Sequence, residues 1–167
     1  MNIFYLSYKT SLCARWHCDK HVVKMILETA QLLYTAHWIL MSSIEDAPCR
    51  KNSDHRGYRP IKNKNHPSAI WVRESLDHYK WLCELGLELC VEYGFRFGNK
   101  KHACYDHLVW LSENPPASLK SLGWTQPPQA MPDEYKNSNS IIAYRKYYKM
   151  GKKHLLDYTN RNIPFWL

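Results

Sequence analysis

The chain has no run approaching the roughly 20 consecutive apolar residues of a membrane span, and it opens on Met1-Asn2-Ile3-Phe4-Tyr5-Leu6. That opening lacks the charged n-region and small-residue cleavage site of a secretory signal. The expectation is an intracellular protein of the cytoplasm or nucleoid/nucleus, neither secreted nor bound to a membrane. Six cysteines contain no C-x-x-C pair, which argues against a structural zinc site and reads as six reduced thiols. Internal repeats and low-complexity tracts are also missing. Acidic residues are in deficit, with 15 Asp and Glu against 23 Lys and Arg for a net charge of +8. Such an excess suits a polyanionic partner, with a merely solubilising surface as the bland alternative. At 167 residues, 45% of them hydrophobic, the chain is sized for one compact domain and is too apolar to be mainly disordered.

Periodicity predicts an all-α single domain of about four helices, with a short extended N-terminal arm and long loops. Nothing from Thr10 to Met41 is Gly or Pro, so one long helix, or two with a bend, reaches about Leu40, capped by Thr10 or Ser11. Residues 42–66 are irregular and basic. Pro67 suits the first position of a second helix to about Phe97; Gly86 and Gly94 mark a close helix contact or an early end. On that helix Trp71 and Trp81 fall on opposite sides, which predicts an exposed tryptophan. A third helix spans about 100–113, a Pro-rich connection 114–137, and a last helix starts near Asn139. Cys83 and Cys90, seven residues apart, are small apolar fillers of one helix face.

The strongest chemical signal lies on the first helix. At 100° per residue His17, His21, Lys24 and Glu28 fall near one line, extended by Gln31 and Thr35. An ordinary solvated face is the plain reading; two histidines above a single carboxylate favour proton transfer or support of a cation. Two chemistries fit. The i, i+4 pair His17 and His21 could bind a divalent metal with Glu28, giving a metal-dependent nuclease or phosphohydrolase. Metal-free acid–base work by Glu28, assisted by His21 and Lys24, needs fewer partners and is preferred, because H-E-x-x-H spacing and a second acidic cluster are missing. No cofactor is implied.

Positive charge is interleaved with rings in two places. The 50–66 loop holds Arg59, Lys62, Lys64 and His66, and the last helix holds Tyr144, Arg145, Lys146, Tyr147 and Tyr148. Phosphates take Lys and Arg, and unstacked bases take aromatic faces. His66 and Arg73 could meet an anion at the start of the second helix, where backbone N–H groups are free. Each segment alone can be core packing with snorkelling lysines; taken together with the net charge they favour nucleic-acid binding. A non-catalytic nucleic-acid-binding module stays as a further reading.

These features resemble the pyrimidine dimer DNA glycosylase family, the phage endonuclease V type. The likeness rests on an apolar arm before a helix with His21 seven residues ahead of Glu28, a second helix with Tyr79, Leu82 and Tyr93-Gly94-Phe95, and the late run Tyr144-Arg145-Lys146-Tyr147-Tyr148. It covers most of the chain in order. The resemblance implies a compact helical, metal-free DNA-repair enzyme, expected to act as a monomer on double-stranded DNA. In such enzymes an N-terminal amine attacks the sugar C1′ to form a Schiff base, and a glutamate supports the cation and later strand cleavage. Glu28 inherits that glutamate's place and the segment near Tyr144 and Lys146 the DNA backbone contact. One departure concerns Asn2: the family has a small residue there, bared when the initiator Met is removed, and Asn2 is larger. The amine is then that of Met1 or Asn2, or of a lysine such as Lys24, or water attacks instead.

Overall fold

A computed structural model describes all 167 residues and is all-α. It has six α-helices: α1 Thr10–Trp16, α2 Asp19–Ile39, α3 Pro67–Glu74, α4 Leu76–Arg96, α5 Tyr105–Glu113 and α6 Ser140–Gly151. There is no sheet, only an isolated antiparallel bridge between Cys49 and Arg56 inside the 42–66 loop.

The count exceeds four because each long helix expected from the sequence is cut once. His17 and Cys18 are extended, with ψ of 138° and 160°, and separate α1 from α2. The His17 imidazole donates from Nδ1 to the Cys13 carbonyl at 2.7 Å, satisfying an end-of-helix acceptor. Ser75, at φ −147° and ψ 142°, separates α3 from α4, and its hydroxyl accepts from the Asp77 N–H as an N-cap. Asn139 caps α6, its side chain accepting from the Ile141 and Ile142 N–H groups. Thr10 is not a cap: Lys9 occupies that position, and the Thr10 hydroxyl donates to Glu84 at 2.7 Å.

The long helices α2 and α4 pack against each other at the centre, with α1, α3 and α5 around them. Gly86 permits this approach. A Cβ there would lie 2.9 Å from both Leu108 Cδ2 on α5 and Thr29 Cγ2 on α2. Gly94 has no such neighbour, its nearest being the Lys100 carbonyl at 3.7 Å. The arm Ile3–Leu6 is buried in the same core.

The break at Ser75 corrects the tryptophan expectation. Trp71 and Trp81 belong to different helices, so the 100° rule does not run between them. Both are buried, sharing a cluster with His78 and Trp124 in which Trp71 stacks on His78 at 4.3 Å. Trp124 makes the Pro-rich connection a packed one. All six cysteines are unpaired, and Cys83 and Cys90 are buried as expected of fillers.

Candidate active site

The N-terminal arm and α2 meet at a cavity of about 180 Å³ lined by Met1, Asn2, Phe4, His21, Lys24, Met25, Glu28 and Lys152. Glu28 is its centre. Its carboxylate, 12% exposed, has the Lys24 ammonium 3.3 Å from Oε1 and the Met1 amine 3.9 Å from Oε2. The Asn2 N–H donates to the same Oε2 at 3.0 Å. Lys24 follows from helical spacing, four residues before Glu28; the amine arrives through the arm, from 26 or more residues away in sequence.

Asn2 sets that arrival. Its side-chain amide donates to the Ala130 carbonyl at 3.0 Å, while its Oδ1 accepts from the Ile3 N–H and lies 2.7 Å from the Tyr144 hydroxyl. The Tyr144 hydroxyl also reaches the Pro128 carbonyl at 2.6 Å. The Pro-rich connection is therefore the anchor that presents the N-terminus to Glu28.

His21 lies parallel to the Phe4 ring at 4.2 Å, with Nδ1 2.6 Å from the hydroxyl of the fully buried Tyr148. Burial, and then His17, Lys152 and Lys24, push its pKa down to about 3, so the ring is neutral at pH 7. Its Nε2 has no protein partner and is not sealed from the cavity. His66 belongs to the same neighbourhood: burial and then the Met1 amine lower its pKa, while Glu28 opposes them.

His17 does not share this wall. The break at 17–18 turns it into the core, where it is fully buried, with Nε2 unpartnered and its ring 6.5 Å from that of His21. Desolvation drives its pKa down to about 4. The metal reading needed His17, His21 and Glu28 to converge, and no group of three or more His, Cys, Asp or Glu side chains is arranged to hold a metal ion.

The basic candidates divide into free and engaged groups. Arg59, Lys62 and Lys64 are exposed and meet no carboxylate. Arg73 is engaged, Nη1 donating to the Lys64 carbonyl at 2.7 Å, and His66 Nδ1 caps α3 by accepting from the Ser68 N–H. An anion at that helix start would meet an occupied position, so Arg73 and His66 shape the loop there instead. On α6 burial favours core packing over the nucleic-acid contact expected of the aromatic–basic run. Tyr144 and Tyr148, one turn apart, face the core and are fully buried. The Arg145 guanidinium lies over Trp16 and Trp166 at 4.7 and 5.3 Å and donates to the Leu6 carbonyl. Lys146 donates to the Glu134 carbonyl, and Tyr147 is half-buried against Tyr135. Lys152, just beyond α6, is the cationic wall residue that sequence reasoning missed; only its place in the run Lys149, Lys152, Lys153 signalled it.

A larger cavity of about 290 Å³ between α1 and α4 is lined by Lys9, Arg15, Glu88, Glu92 and Arg161 among others. Its lining has neither a histidine nor the N-terminal amine, whereas the cleft at Glu28 has both and is the better chemical candidate. Comparison of the chain with protein-family models, with curated proteins and with solved structures finds no match in any of the three.

Proposed function

We propose that this protein is a DNA glycosylase with an associated AP-lyase step, acting on a damaged or modified base of the pyrimidine-dimer type without a metal. The observation that carries the reading is the grouping of a free amine, a lysine and a shielded carboxylate in one small cleft. In the proposed reaction the unprotonated amine attacks C1′ and the C1′–base bond breaks. The departing base takes the proton that the attacking nitrogen releases, and the sugar ring opens with O4′ protonated from water, leaving an iminium on the former amine nitrogen. Glu28 stabilises that cation and then accepts the C2′ proton, whose removal expels the 3′ phosphate. With Tyr148 donating to Nδ1, the neutral His21 turns Nε2–H to the cleft as a hydrogen-bond donor for the sugar or the departing base.

Borohydride trapping tests this, on ultraviolet-irradiated and unirradiated duplex DNA with EDTA present throughout. A covalent protein–DNA band on irradiated DNA alone is expected. Glu28→Gln should lose product formation while keeping DNA affinity within a few-fold. Full activity in that variant overturns the assignment, and salt-sensitive binding with no turnover on either DNA leaves a non-catalytic binding module.

A further inference from the structure

The proposed chemistry uses one end of α2 and leaves the rest of its exposed face unexplained. Relative to Glu28, the residues Lys20, Lys24, Leu27, Gln31 and Trp38 fall within about 100° on one side of the helix. All five are exposed or half-exposed, although Leu27 and Trp38 are large and apolar. The basic loop runs beside this face in the opposite direction. The Trp38 indole N–H donates to the Tyr58 carbonyl at 2.9 Å, the Ile61 N–H donates to the Thr35 hydroxyl at 3.1 Å, and His66 reaches the neighbourhood of Glu28. Arg59, Lys62 and Lys64 therefore flank α2 between Trp38 and the cleft. The nearby carboxylates do not neutralise them. No carboxylate lies within ion-pair distance of Arg59, Lys62 or Lys64, Asp19 is held by Arg96 and Thr159, and Glu28 lies in the cleft.

Trp38 is the only one of the seven tryptophans that is exposed, at 48%. Its indole N–H bond pins the ring, so an aromatic face is held toward solvent at a fixed place. A rigid ring at the end of a cationic strip suits a nucleic acid strand, because bases stack on such rings while phosphates follow the lysines. A protein partner would match the apolar residues but not the unpaired cations.

We infer that the face of α2 from Lys20 to Trp38, with the basic loop beside it, is the track for one DNA strand, and that Trp38 is a stacking platform for a base. Ten residues of helix place Trp38 about 15 Å along the axis from Glu28, a span of about four to five base steps at about 3.4 Å each. This inference rests on DNA being the substrate, but not on glycosylase chemistry.

The test is titration of the full chain with a fluorescein-labelled duplex carrying one tetrahydrofuran abasic-site analogue. Anisotropy gives affinity, and acrylamide quenching of indole emission gives the accessibility of Trp38. DNA should protect the quenchable indole, and Trp38→Phe should remove that signal. Trp38→Ala should weaken binding between about 5-fold and about 100-fold. Lys62→Glu, at an exposed position outside the core, should lower the slope of log affinity against log salt by about one or more. DNA that binds without protecting Trp38, with unchanged affinity in Trp38→Ala and an unchanged slope in Lys62→Glu, overturns the track and leaves the DNA reading intact. No binding by the unaltered chain overturns both.

Discussion

Of the five imidazoles buried in this fold, three are held far below their ordinary pKa, and acid should unfold it for that reason. His17, His21 and His37 are 0%, 6% and 1% exposed, and desolvation heads the causes that lower them to about 4, 3 and 4. In the unfolded chain each titrates near its ordinary value of about 6.5. Between about pH 6.5 and the depressed folded values, the unfolded state holds protons that the folded state refuses. Stability is therefore full above about pH 6.5 and falls as pH falls through this window. Each group contributes a slope of about 1.4 kcal/mol per pH unit once its unfolded form is charged, or about 2 kcal/mol lost by about pH 5. The three together lose about 6 kcal/mol, a large part of the roughly 5–15 kcal/mol by which domains are stable. Carboxylates titrate lower, so this upper window belongs to histidine. Urea unfolding followed by tryptophan emission from about pH 7 to about pH 5 should show the midpoint falling steeply with an unchanged m-value. His17→Asn, which keeps an N–H within reach of the Cys13 carbonyl, should reduce the slope by about one proton. A flat profile over the window refutes the reasoning.

Gly86→Ala should lower Tm, because its Cβ would meet Leu108 and Thr29 at 2.9 Å; overpacking of about 1–3 kcal/mol outweighs a helix-propensity gain of about 1 kcal/mol, and a higher Tm in a thermal melt contradicts this. Glu92→Gln should cost about 1–3 kcal/mol, since it removes the charge that meets the fully buried Arg96 guanidinium at 2.6 Å and Arg161 at 2.8 Å while Asp19 still pairs with Arg96; limited proteolysis should then cut near Asn160, and an unchanged denaturation midpoint refutes it. Asn2→Leu, which keeps a large residue behind Met1, removes the tie to Ala130 and the Tyr144 contact, so the borohydride-trapped yield should fall by about 100-fold through misplacement of the amine while the helical circular dichroism stays the same; a wild-type yield shows that the arm is positioned by other means.

Helix class was legible because apolar spacing and capping residues act locally: Pro67, Asn139 and Gly86 each do in the fold what their chemistry suggested. The two interruptions were not, for a physical reason. Neither His17-Cys18 nor Ser75 is a helix breaker by propensity; each is held extended by a partner, the Cys13 carbonyl for one and the Asp77 N–H for the other. Angular arithmetic fails across such a break. It placed His17 on the wall of the site and Trp71 opposite Trp81, yet it held within α2, where His21, Lys24 and Glu28 do share the cleft. Tyr144 illustrates the converse ambiguity, since an aromatic at helical spacing beside lysines reads equally as a stacking surface or as core. Here the partners that decide it, Asn2 and Pro128, are distant in sequence.

The cleft depends on chain ends as much as on α2. The N-terminus is fixed through Asn2 to the Pro-rich connection, and that connection is fixed through Tyr144 to α6. Beyond α6 the chain returns to the start of α2, where the Asp19 N–H donates to the Asp157 carbonyl and Asp19 accepts from Thr159 and Arg96. That return closes the region beside Lys152, which faces His21 across the cavity. The same closure shields Tyr148, and Tyr148 orients His21. A disturbance at Glu92 or Asp19 should therefore reach the site as a change in the orientation and ionisation of His21 before the core itself unfolds, because the ionic and hydrogen-bonded contacts add to a tail whose apolar residues, Tyr158 and Trp166 among them, are only partly buried, while α2 and α4 are bound by a fully buried core. Loss of the depressed His21 pKa in Glu92→Gln, followed by nuclear magnetic resonance of its ring nitrogens, is the signature of that coupling. Retention of the pKa with a released tail would separate the two.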